Sequence, residues 1–359
     1  MIRWRRGVVT GVRREWPGAL ELDVEIGGEG GGPARALAYD ALVGRPERGE
    51  TVLLNTTALA LGLGTGGYAI VVATPDRLPA DPPPGPGHLV KARYTPLQAT
   101  VLGVDEQDSP YHEVLREADD LAGMPVVVAD LHSALPAVVA GLRADRPGLR
   151  VVYLMTDGGA LPLWFSRSVA ALRAAGWLAA TVTVGQAVGG DAEAVTLHSG
   201  LLAARHVLGA DVAVVTQGPG NLGTVTRWGF SGVACGEALN AAGVLGGRPV
   251  AALRVSAADP RERHRGVSHH SLTAYGRVAL ARADVVVPRL DGPLGDQVRE
   301  QAAALSPPHR LVDVNVDGLR DALRDVPVRL STMGRGLEED PAAFLASAAA
   351  GRHAAALTG

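Results

Sequence analysis

The sequence predicts an α/β protein, mainly a parallel sheet with helices on both faces, joined to a small N-terminal β-barrel-like or sandwich domain. Three observations carry this expectation. From residue 88 onward, short runs of Val, Ala and Leu alternate with Ala- and Leu-rich helical stretches. Strands that are nearly continuous in apolar residues belong to parallel sheets covered on both faces. Residues 5–73 instead hold closely spaced strand-like runs punctuated by glycine, the pattern of a small closed or sandwiched β unit. Between the two, LPADPPPGPG is an extended, semi-stiff spacer with no core of its own. The expected organisation is therefore a β domain over 1–77, a linker over 78–87, and an α/β domain over 88–359.

Composition agrees with this division and excludes several functions. Of the 359 residues, 47% are hydrophobic but only 4% aromatic, so the core is built from small aliphatic side chains. The net charge of −3 gives no basic footprint for nucleic acid. The basic start, MIRWRRGVVTGVRREW, lacks the apolar run of a signal peptide, and the longest apolar stretch is interrupted by Asp130 and His132. A protein without membrane or nucleic-acid partners is expected. Cys235 is the only cysteine, which excludes an internal disulfide and a cysteine-based zinc site and suits a reducing cytoplasm. Lys91 is the only lysine and follows no glycine loop, so a P-loop is excluded. Its place just past the linker argues against a pyridoxal phosphate Schiff base there.

Taken in order, RGVVTGVRRE and ALELDVEI read as strands joined through the turn Trp16-Pro17-Gly18. The loop GGEGGG follows, then strands in RALAYDAL, TVLLNTTAL and YAIVVA. Arg3, Arg5, Arg6, Arg13 and Arg14 form a solvated edge or an anion-binding face. Past the linker, QATVLGV reads as a strand, and Ser109-Pro110 as the cap and first turn of a helix over YHEVLREADDLAG. Strands recur at PVVVAD, RVVYLMT, LAATVTV, DVAVVTQ, PVAALRVS, DVVVPRL and RLVDVNV. Helices fall in SRSVAALRAAGW, AEAVTLHSGLLAARHVLG and CGEALNAAGVLGG, with a plain helix in the tail DPAAFLASAAAGRHAAAL.

The polar residues gather at one place in each unit. Asp130-Leu131-His132, Thr156-Asp157-Gly158, GQAVGGD, TQGPGNLG and SAADPRERHRGVSHH each lie just past the carboxyl end of a predicted strand. Open α/β sheets bind ligands along that edge, so a site is expected there. The stretch 212–232 is its expected floor. Gly218, Gly220 and Gly223 would turn backbone amides toward an anion, beside Thr216, Gln217 and Thr224. The same glycines match G-x-G-x-x-G, but a further loop, WGFSG, follows before any helix, and no acidic residue falls at the ribose position. Tight packing alone is the competing explanation.

His269-His270 supply the expected acid or base, with one of the two facing the pocket because adjacent side chains diverge. Alternatively, Ser268 caps a helix and both histidines occupy its first turn. Asp157 or Asp191 would orient the histidine or hold a metal. Thr156, Gly158, Gln186, Gly190 and Ser268 would line the pocket, and Arg265 or Arg335 would clamp the anion. A divalent metal is left open, with Asp130, His132, Asp157, Asp191, His198 and His269 as nitrogen and oxygen donors. Ser231 reads as a helix cap rather than a nucleophile, and Cys235 as a buried core residue.

The motifs TDGGALP, GQAVGGDAEAV, QGPGNLGT, WGFSG, GVSHHSLT and STMGRG together resemble a bacterial family known only as a domain of unknown function. The resemblance spans nearly the whole chain and implies a shared architecture; it implies no activity. From the residues, the expected function is hydrolysis or group transfer on a small phosphate- or carboxylate-bearing metabolite at the carboxyl edge of the sheet. Two alternatives stand beside it, a non-catalytic sensor or assembly protein and a nucleotide-dependent oxidoreductase. A homo-oligomer is left open.

Overall fold

Residues 1–28, 30–63 and 66–359 are described by a computed structural model. Glu29, in the predicted glycine loop, lies outside the described residues. The chain divides into two compact units, Met1–Pro86 with Val90–Thr100, and Gly87–Leu89 with Val101–Gly359.

The first unit is a closed five-stranded barrel. Its strands are β1 (Trp4–Trp16), β2 (Ala19–Ile26), β3 (Gly32–Ala38), β4 (Thr51–Asn55) and β5 (Tyr68–Ala73). They close in the order β1-β2-β3-β5-β4, with β3 and β5 parallel and the other pairs antiparallel. Alternation fills the interior: Leu20, Leu22 and Val24 of β2 point inward with Val9, Val52, Leu54, Ala69 and Val71. Register shifts after Val9 and Val12 bend β1, so one long strand pairs with both β2 and β4.

The stretch after the linker is shared between the two units. It carries a two-stranded ribbon, β6 (Leu89–Lys91) with β7 (Ala99–Val101), and Val90–Thr100 group with the barrel unit. The helix predicted after Ser109 is a single turn, His112–Leu115. Past it the Asp120 carboxylate accepts from the Ala122 amide in a local turn.

The second unit is built on an eight-stranded, wholly parallel sheet. Its strands are β8 (Pro125–Val128), β9 (Val151–Thr156), β10 (Ala180–Val184), β11 (Ala192–Ala194), β12 (Val212–Gln217) and β13 (Arg248–Ala252). A short antiparallel pair, β14 (Val255–Ser256) with β15 (Gly266–Val267), precedes β16 (Asp284–Arg289) and β17 (Arg310–Asn315). The order across the sheet is β11-β10-β9-β12-β8-β13-β16-β17. Central strands are buried on both faces, and β8 shows why. Val126 and Val128 enter one core with helices Leu197–His206, Ala234–Val244 and Gly292–Ala303, while Val127 enters the other with helices Leu135–Asp145, Arg167–Ala174 and Pro341–Ala356.

The connection leaving β8 runs through helix Leu135–Asp145 on one face, and that leaving β12 through Ala234–Val244 on the other. Because β12 and β8 are neighbours, their carboxyl-end loops part in opposite directions and open a crevice. Among the described residues, no helix is long and apolar enough to cross a membrane.

Candidate active site at the carboxyl ends of β8, β12 and β13

Asp130, two residues past β8, is the centre of the crevice. It is 5% exposed, and Oδ2 lies 3.4 Å from Nη1 of Arg254 and 3.3 Å from Nδ1 of His270. Burial opposes its ionisation; Arg254 and His270 overcome that cost and hold the carboxyl below its ordinary value. Gln217, at the end of β12, fixes the backbone here by donating from Nε2 to the Asp130 carbonyl at 2.7 Å. On the side of Gly232 the approach is close enough that a Cβ there would fall 2.9 Å from Cβ of Asp130. The second glycine of WGFSG therefore has a steric reason.

Arg254 follows β13, where the predicted strand PVAALRVS breaks in two. Its backbone is tied to the histidine helix: its amide donates to the Ser271 hydroxyl, and its carbonyl accepts from the Ser268 amide. Only Nη1 of the guanidinium has a hydrogen-bond partner among the described residues, so the remaining donors are free to meet a ligand. Arg254 and Asp130 line a cavity shared with Ser133, Ser256, Thr332 and Arg335.

Three imidazoles gather on the other side of Asp130. The β14–β15 pair closes a hairpin whose loop carries His264, and Ser268 then caps the helix His269–Thr273 by accepting from the His270 amide. His264, His269 and His270 place one ligand-capable nitrogen each within 4.8 Å of one another. Their ring centroids are 5.0, 5.0 and 4.4 Å apart. The Ser268 hydroxyl lies 2.7 Å from Nδ1 of His264, and Phe230 stacks on His270 at 3.8 Å. Burial, then Arg254 and Arg261, push His264 down to about 3; burial, then His270 and Arg263, push His269 down to about 4. Both rings are neutral at pH 7. The expectation that only one of His269 and His270 faces the site is corrected. At the first two positions of a helix the side chains are only about 100° apart, and both rings turn toward His264.

Other predicted residues fall elsewhere. His132 is spent in a hydrogen-bond chain. The Thr216 hydroxyl donates to the Gln217 carbonyl, so Tyr153 donates to Thr216 (2.9 Å), His132 donates from Nδ1 to Tyr153 (3.0 Å), and Nε2 accepts from Ser166 (2.6 Å). With both ring nitrogens engaged, His132 has no lone pair left for a metal. Asp157 caps the loop after β10 by accepting from the Gln186 amide at 2.9 Å. Asp191 accepts from the Thr181 amide and hydroxyl and pairs with Arg173. Thr181 is the second residue of β10, so Asp191 sits toward the amino edge, away from the crevice, while the Gly190 amide donates to the hydroxyl of Thr183, further along the strand. The reason is that 185–191 returns along β10 without a helix to start β11.

The glycine loop is also used differently from expectation. The Gly218 amide already donates to the Thr156 carbonyl, and a Cβ there would lie 2.3 Å from the Ala160 carbonyl oxygen. Gly158 abuts the Gln217 side chain in the same way, so these glycines let two loops touch. Gly223 and Thr224 belong to a hairpin closed at Gly223 and Phe230, and Gly220 is exposed at its base. Arg265 is exposed and bonds the Asp259 carbonyl. Arg335 pairs with Asp259 and Asp340, both fully buried, while still bordering the cavity. His198 is exposed on its helix.

Arg254 and His264 were not singled out from sequence. Arg254 follows an apolar strand, which is a usable signal, whereas His264 is one polar residue among several in a long loop. Residues 35–351 match the family described as Protein of unknown function (DUF3866), and the chain belongs to that family. No curated protein and no solved structure matches it.

Proposed function

We propose that this DUF3866 protein is an enzyme, a hydrolase or group transferase, acting on a small phosphate- or carboxylate-bearing molecule in the β12–β8–β13 crevice. The observation that carries the reading is Asp130, a buried carboxylate touching both an arginine with unused donors and His270 of a three-histidine group, beside a hydroxyl-lined cavity. In this reading Arg254 holds the anion, with the Thr332 hydroxyl, which accepts from Ser133, as a further donor. The histidine centre performs the chemistry, and Asp130 orients it through His270. Gln217 is a positioning residue that keeps Asp130 at the rim.

The test is a thermal-shift screen over phosphate monoesters and small carboxylates, followed by turnover of chromogenic phosphate and carboxylic esters. Arg254→Met should weaken anion binding about 10- to 100-fold, the worth of a charge-assisted hydrogen bond. His270→Ala should lower kcat with a smaller effect on KM. A screen in which no anion raises the melting temperature, together with turnover indifferent to both substitutions, would sink the proposal.

A further inference from the structure

We infer that His264, His269 and His270 form a three-histidine site for a divalent transition metal, of which zinc is the best match. The inference rests on the proposed function for its place in the molecule but not for its test. Three features carry it.

The rings converge. Their ligand nitrogens lie within 4.8 Å of one another, and a tetrahedral ion with bonds of about 2.0–2.1 Å needs them roughly 3.3 Å apart. Rotations of the imidazoles close that difference. Centroid separations of 5.0, 5.0 and 4.4 Å already suit three rings pointing at one centre.

Each ring has a nitrogen to give. Nε2 of His269 is buried with no hydrogen-bond partner, an arrangement that costs free energy unless something binds there. His264 is held at Nδ1 by Ser268, and His270 at Nδ1 beside Asp130. In the tautomers that donate from Nδ1, both present the Nε2 lone pair. Nδ1 of His270 is also 3.1 Å from Nη1 of Arg254. Arginine only donates, so a metal on Nε2 selects the form in which His270 donates to Asp130. A metal-bound histidine fixed by a carboxylate is the arrangement that orients the ring and raises its basicity.

The donor set is specific. Neutral imidazoles suit zinc, copper, nickel and cobalt rather than magnesium or calcium. Among the described residues, no fourth His, Cys, Asp or Glu joins the group. Three protein ligands leave a coordination position for water, which zinc ionises near neutral pH. Arg254 and Arg263 put positive charge nearby, and Asp130 offsets it.

The experiment uses the full chain, stripped with a chelator and titrated with Zn²⁺ and with Co²⁺ against a competing chromophoric chelator. The expected result is one ion per chain, with the intense visible absorption of tetrahedral Co²⁺. His264→Ala and His269→Ala should each weaken binding on the order of 100-fold or more. Asp130→Asn should weaken it about 10- to 100-fold, the usual effect of losing such a support. Circular dichroism of the stripped variants checks that they are folded, and the His269→Gln variant covers the case in which an alanine variant is not. Failure to bind either ion, or binding that all the histidine variants retain, would overturn the inference. Metal binding without turnover would keep this inference and remove the enzymatic reading; turnover by a chain that binds neither ion would do the reverse.

Discussion

At Asp130 and Arg254 two charges are taken out of water, and only their mutual contact and the neighbouring polar groups make that tolerable. The neutral histidines respond to the same environment in the opposite sense. His132, pushed down to about 4 by burial, binds its proton more weakly in the folded chain than in the unfolded one, where its pKa is near 6.5. The unfolded state therefore takes up more protons as pH falls below 6.5, and stability is lost across the window from 6.5 down to about 4. At pH 5 the loss from a single ring of this kind is on the order of 2 kcal/mol. Urea unfolding at pH 7 and pH 5 should show it, and His132→Gln should reduce the difference, leaving the part that comes from His264 and His269. An unchanged midpoint at the two pH values would mean that His132 is not held neutral. Residue type was readable in advance: Asp130, His269, His270, Thr216 and Gln217 were all found at strand or helix ends. Arg254 and His264 were not, since neither carries a local pattern and both gain meaning only from what they face.

Glycine shows the same limit for elements. Residues 216–223 read from sequence as an anion cradle, yet Gly159 and Gly218 are small because two loops meet backbone to backbone, and Gly158 because the Gln217 side chain lies against it. Sequence cannot separate these uses, since both require the missing Cβ. The C-terminal helix Pro341–Ala356, read as a plain tail, is instead a central buried element against helix Leu135–Asp145. The two cross so closely that a Cβ on Gly141 would lie 1.8 Å from the Ala348 carbonyl oxygen, and one on Gly351 2.0 Å from that of Val138. Gly141→Ala gains about 1 kcal/mol in helix propensity, but the overlap with backbone cannot be relieved by turning a side chain. A net loss of about 1–3 kcal/mol is expected, read as a lower urea midpoint at constant m-value. A raised midpoint would show that the helices do not touch there.

For the molecule as a whole, every residue of the proposed site belongs to the larger unit. Calorimetry should therefore resolve two unfolding transitions, and an anion or metal ion bound at the crevice should raise only the one belonging to that unit. A single transition that moves as a whole would contradict this division. The sequence alone determined the class of both units, because strand and helix periodicities and apolar runs are local properties of the chain. It also gave the expectation that polar residues would collect at one sheet edge, since parallel strands all point their carboxyl ends the same way; Asp130 and Gln217 do meet there, and Asp191 does not. Only the tertiary structure decided which strand ends are neighbours. The insertion of β12 between β9 and β8 brings Gln217 to Asp130, while the helix-free return to β11 carries Asp191 toward the opposite edge. Adjacency in a sheet comes from hydrogen bonds between segments distant along the chain, and no local pattern of residues encodes it.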